Sequence, residues 1–154
     1  MLTLCLLAQW SVAQAPKWVD KAKRAVFSVV TYDQNDKILN TGNGFFVTED
    51  GIALSDYTLF KGAQRAVVMS SDGAQMPVEA IMGADDMYDV VKFRVGIPGK
   101  KVTALTLAAV APAVGADVYL LPYSTQKDRS FTTGKVRRLI RFPATIPITR
   151  SICV

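Results

Sequence analysis

Histidine, the side chain best suited to move protons near neutral pH, is absent from this chain of 154 residues. Acid–base work would fall to the 13 carboxylates, the lysines or the hydroxyls. The carboxylates form no pair specific enough for glycoside hydrolysis. Asp85 and Asp86, adjacent in G-A-D-D-M-Y-D (83–89), suit a turn cap. Ser71-Asp72-Gly73 reads as a turn and not as a phosphate loop. Metal binding has almost nothing to draw on. There is no imidazole, and Cys5 and Cys153 lie near opposite ends of the chain. No metal and no cofactor is expected.

The elements that would position such residues read as β. Lys17 to Arg24 is a short amphipathic helix with Trp18 and Val19 on its apolar side. Strands follow at Ala25–Tyr32, Ile38–Val47, Ile52–Ser55, Ala66–Ser70, Gln75–Met82 and Val90–Val95. Turn clusters separate them at Asp33–Asp36, Glu49–Gly51 and Ser71–Gly73. Gly42 and Gly44 inside a strand predict a bulge or a close backbone approach, and Pro77 predicts an edge position. Met69, Met76, Met82 and Met87 read as core or packing residues. Six short strands at this spacing make a small barrel or sandwich. Gly96–Leu107 reads as an interdomain connection. Val114–Tyr123 and Ser130–Leu139 read as a further hairpin, after which Pro143 and Pro147 interrupt the pattern.

The net charge of +5 does not describe a nucleic-acid face. Every acidic residue lies at or before Asp128. Beyond it stand Arg129, Lys135, Arg137, Arg138, Arg141 and Arg150, so the excess belongs to the C-terminal stretch. No nucleic-acid-reading motif accompanies it, and no nucleic-acid partner is expected. At the other end, the apolar run Leu2–Ala8 precedes small residues at 11–13 and 13–15. Residues 1–15 therefore read as an export signal, with cleavage favoured after Ala13 because Pro16 would follow Ala15. The alternative is a buried N-terminal helix. The run is too short to span a bilayer, so no stable membrane anchor is expected after cleavage. Cleavage would leave Cys153 alone, with no intrachain disulfide.

Five segments in order resemble the trypsin-like serine proteases, in their HtrA/DegP-like branch. Ala25–Val30 resembles the opening A-V-V-x-I strand, and Gly42–Val47 the G-S-G-F-V/I strand. Gly51–Ala63 (G-I-A-L-S-D-Y-T-L-F-K-G-A) resembles G-Y-I-L-T-N-N-H-V-V-x-G-A. Gly83–Val95 resembles G-x-D-x-x-x-D-I-A-V-L-K-V. Val114–Val136 resembles V-G-x-x-V-x-x-I-G-x-P followed by T-x-G-x-V. The resemblance covers residues 18–138 and implies an all-β fold: a complete first trypsin-like barrel over 16–97, then a connection and first hairpin of a second barrel over 98–139. Residues 140–154 are expected to be an irregular tail.

The resemblance places the family's acid at Asp89 and Thr58 where the family has its histidine. A threonine hydroxyl does not exchange a proton near neutral pH, so Thr58 is not functional as a base. Asp89 then has no imidazole to orient, and is expected to accept hydrogen bonds from the Thr58 hydroxyl or from backbone N–H groups. Lys61 is a poor substitute, since a catalytic lysine needs burial and Lys61 lies in a polar turn beside Gly62. Tyr57 reads as a packing aromatic. No G-N-S-G-G-P-like loop occurs, so the chain holds no nucleophile. Two barrels need about 200 residues, and the acid-free text after Arg137 predicts a truncated or frame-shifted product.

The expected function is that of an exported peptidase homologue, in the periplasm or at the cell surface. It is catalytically inactive and acts, if at all, by binding an extended peptide or unfolded protein segment. One alternative is a fragment of an active serine endopeptidase whose nucleophile lies beyond Val154. Another is an unrelated small β-barrel binding module.

Overall fold

A computed structural model of the chain describes residues 17–123 and 131–139. The export signal and the tail after Leu139 lie outside these residues, so neither expectation is addressed by the fold.

Helix α1 (Lys17–Ala25) leads directly into β1 (Val26–Tyr32). Ala25, expected to open the strand, instead closes the helix. Alanine is the strongest helix former and a weak strand former, and here it is fully buried. The following strands are β2 (Ile38–Phe46), β3 (Ile52–Asp56), β4 (Arg65–Met69), β5 (Gln75–Asp85) and β6 (Val90–Val95). All pair antiparallel and close into one barrel in the order β1-β2-β3-β6-β5-β4.

Alternation builds the core. Phe27, Val29, Phe46, Ala53, Val68, Val91, Phe93 and Val95 point inward and are almost wholly buried. On β6, Val91, Phe93 and Val95 face the interior while Lys92 faces water, as a period of two requires. The aromatic rings interlock: Phe27 lies 4.6 Å from Phe46 and 6.3 Å from Phe93, and Phe60 lies 5.1 Å from Phe93.

Gly44 resolves as a close approach and not as a bulge. It pairs with Phe27 across β1 and β2. A Cβ there would meet the Phe27 ring at 2.5 Å and the Leu54 carbonyl oxygen at 2.8 Å. Gly51 ends the β2–β3 turn at φ +93°, the left-handed region that glycine enters without steric cost.

Two expectations need correction. Pro77 is not on an edge, because β5 runs between β4 and β6 in a closed barrel. It pairs with Val67 on β4 but sits one residue outside the β5–β6 ladder, which begins at Val78, so its missing N–H breaks no bond to β6. Met82 and Met87 are exposed and do not belong to the core, while Met76 packs against it. Strand β5 is exposed over most of its length, including Glu79–Asp85.

The segment after β6 is laid onto the barrel. Val102 donates its N–H to the Glu49 carbonyl at 3.2 Å, and Leu105 to the Phe46 carbonyl at 2.8 Å. Val102 and Ala104 pack against the barrel core. Beyond it, β7 (Asp117–Leu120) and β8 (Thr132–Lys135) form a two-stranded antiparallel sheet, shorter than the strands read from the sequence. An ion pair of 2.7 Å joins Lys135 to Asp117 across it. Tyr119 packs edge-on against Trp18 of α1 at 4.8 Å. Among the described residues this hairpin is all that stands in the place of a second barrel.

Candidate functional site

Strands β3 and β6 are neighbours, with Asp56 opposite Val90. The residues just beyond these two strand ends must therefore meet. After β3 the chain tightens into a 3-10 turn, Tyr57–Phe60, and just before β6 stands Asp89. Thr58 and Asp89, 31 residues apart, are brought together: the Thr58 N–H donates to Asp89 Oδ1 at 2.6 Å. The Tyr57 N–H donates to the Asp89 carbonyl oxygen at 3.1 Å. Asp89 has φ +53°, a left-handed conformation that aspartate tolerates better than most residues.

The electrostatics follow from these contacts. The Asp89 carboxyl is held below its ordinary value of 3.8, first by the Thr58 N–H, then by the Thr58 side chain, with Lys61 adding attraction. The carboxylate is half-buried, and Thr58 is exposed. Asp89 is therefore ionised at neutral pH and already engaged with the backbone of the turn. Nothing at position 58 can take up or give back a proton under these conditions.

Lys61 fails as a substitute on two counts. Its ammonium pairs with Asp86 and lies 5.2 Å from the centre of the Tyr57 ring. Its pKa is raised above the ordinary 10.5, chiefly by the hydrogen bond to Asp86, so it stays charged where a general base must be neutral. Asp86 is thus a partner to Lys61, while Asp85 caps the turn alone: its Oδ1 accepts the N–H groups of Met87 at 3.0 Å and Tyr88 at 3.1 Å. Among the described residues no cluster of His, Cys, Asp or Glu could hold a metal ion.

Two features were not foreseen from the residues. One is an apolar groove of about 490 Å³ beside the site, bounded by Asp56 and Val90 at one end and by Leu54, Leu105, Leu107 and Tyr119 further along. It forms only where the connection and β7 cross the barrel, so no local pattern announces it. The other is a polar pair behind the turn. Thr31 is completely buried, and its hydroxyl donates to the Leu59 carbonyl at 2.9 Å. Asn40 Nδ2 donates to the same carbonyl at 3.3 Å. A signal was present: Thr31 shares the inward register of Phe27 and Val29, where a polar residue must find a partner.

A closed six-stranded antiparallel barrel, with an aspartate at the head of one strand bonded to a turn at the end of its neighbour, fits a trypsin-like β-barrel. The chain belongs to that family: the trypsin-like peptidase domain matches residues 42–152, which include Thr58, Asp89, the second half of β2 and strands β3 to β8. The match begins later than the sequence resemblance and continues past residue 138, where that resemblance ends. No curated protein matches the chain.

Proposed function

We propose that this chain is an exported trypsin-like peptidase homologue of the HtrA/DegP-like branch that lacks catalysis and acts by holding extended peptide or unfolded protein segments. The observation that carries the reading is the pairing at the candidate site. Asp89 meets the backbone N–H of Thr58 at 2.6 Å, and the side chain at that position is an alcohol. In a working triad the carboxylate fixes the tautomer of an imidazole and stabilises its charged form, while the imidazole takes the nucleophile's proton. Here the carboxylate and the turn are in register, but the proton carrier between them and a nucleophile is missing. Among the described residues Lys61 does not take its place, because it is held charged by Asp86.

Binding needs less than catalysis. The barrel is closed and presents no open strand, whereas the β7–β8 hairpin is two-stranded among the described residues. An extended segment can add to such an edge through main-chain hydrogen bonds. Export rests on the N-terminal apolar run and the small residues after it.

A fluorophosphonate probe tests the catalytic half directly. The purified chain should show no covalent labelling under conditions that label trypsin completely; stoichiometric labelling would sink the reading. For the binding half, a fluorescent unfolded casein fragment should gain anisotropy on titration with the protein, and an unchanged signal up to millimolar protein would count against it. N-terminal sequencing of the protein from a periplasmic fraction should begin at Gln14 or Pro16. An unprocessed Met1 confined to the cytoplasm would remove the export claim.

A further inference from the structure

Position 58 is exposed, yet the backbone that carries it is fixed from several directions. On one side Asp89 accepts the N–H groups of Tyr57 and Thr58. On the other, the Leu59 carbonyl accepts from both Thr31 Oγ1 at 2.9 Å and Asn40 Nδ2 at 3.3 Å. The Thr31 hydroxyl has a single proton, and the Leu59 carbonyl is its shorter acceptor; the Asn40 carbonyl lies at 3.3 Å. The same hydroxyl oxygen accepts the Asn40 backbone N–H at 3.2 Å. Thr31, Asn40 and Leu59 therefore form a closed polar unit, with Thr31 wholly buried. The Leu59 side chain is seated over Gly42, where a Cβ would come within 2.3 Å of its Cδ1. The Thr58 side chain also bonds to Asp89, but the Thr31, Asn40 and Gly42 contacts with Leu59 do not involve it.

We infer that Thr31 and Asn40 are positioning residues for the Tyr57–Phe60 turn, holding its backbone against Asp89 whatever side chain occupies position 58. The inference rests on the proposed correspondence of positions 58 and 89 with a base–acid pair, and deepens it. A barrel interior is closely packed, so a buried hydroxyl is retained there only with its partners in place. Thr31 spends its proton on a carbonyl next to the exposed position, not on the core. The turn is thereby tied to β1 and β2 as well as to the aspartate ahead of β6.

The absence of histidine makes the test clean. In Thr58→Val no imidazole exists, whereas Thr58→His introduces the only one in the molecule, visible by NMR in protein purified without a histidine tag. The titratable groups on the segments beside it are Asp56 at the end of β3, Tyr57 in the turn and Lys61 just after it, and Asp85, Asp86, Tyr88 and Asp89 ahead of β6. Lys61 is offset by Asp86. The imidazole of Thr58→His should titrate about one unit above the ordinary ~6.5. Adding Asp89→Asn should cancel that rise. Adding Thr31→Val or Asn40→Ala should remove at least half of it, and Thr31→Ser, which restores a hydroxyl, should retain it. Each variant is first checked for a cooperative thermal transition; if Thr31→Val does not fold, Asn40→Ala carries the comparison. A full, Asp89-dependent rise that survives both Thr31→Val and Asn40→Ala would overturn the positioning role alone. An unshifted imidazole in Thr58→His itself would overturn both this role and the base–acid correspondence.

Discussion

Asp89 owes its ionised state to the peptide groups of the turn more than to any charge, since the Thr58 N–H heads the influences that lower its pKa. The sign of the resulting pH dependence is fixed. A carboxyl whose folded pKa lies below its ordinary value adds stability that is fully present above 3.8 and is lost as the pH falls through the lower folded value. Asp89→Asn should therefore destabilise the protein at pH 7. The gap to the parent should close below pH 3.8, as followed by urea unfolding at pH 7, 5 and 3. A gap that widens on acidification would show that Asp89 is not held as a carboxylate by this turn. Lys61 runs the other way: its contribution is present below 10.5 and lost as the pH rises through its raised value. Any loss of stability in Lys61→Met should therefore appear at neutral pH and shrink as the pH rises through the raised Lys61 value.

At the level of elements, β2 is shaped by what its glycines leave out. Gly44→Ala forces a Cβ against the Phe27 ring and the Leu54 carbonyl, neither of which can move without disturbing β1 or β3. The expected cost is about 1–3 kcal/mol, read as a lower melting temperature. Gly83→Ala in β5 meets nothing within 4 Å and should stay within about 0.5 kcal/mol of the parent. Equal effects at the two positions would contradict the packing described for β2. The strands themselves were legible in the sequence, because alternation and β-branched residues mark β1, β4 and β6 directly. What could not be read was set by closure. Pro77 looks like an edge residue in isolation, yet closure places its strand between β4 and β6. Met82 and Met87 look like core residues, yet β5 turns most of its length to water.

For the molecule as a whole, one aromatic cluster supports the barrel from three sides. Phe93 is wholly buried and touches both Phe27 and Phe60, and Phe60 closes the very turn that carries position 58. Phe93→Ala should cost about 3–5 kcal/mol, a large part of the ~5–15 kcal/mol that holds a typical domain together. Calorimetry should show the transition lowered or lost. The candidate site was half-legible. The family resemblance named Asp89 and position 58, and the structure brings the two into contact. Thr31, Asn40 and the groove were not named, because each depends on contacts between segments distant in the chain. Family membership, the barrel and the 58–89 contact agree with one another. Whether that frame carries out peptidase chemistry turns on position 58, a threonine, and on a nucleophile that the sequence does not offer in a recognisable loop.

Hydrolysis of unfolded casein by the purified chain, followed from pH 5 to pH 10, measures that difference most directly. The expected result is no peptide release above the buffer rate at any pH. Sustained turnover that disappears in Asp89→Asn would contradict it.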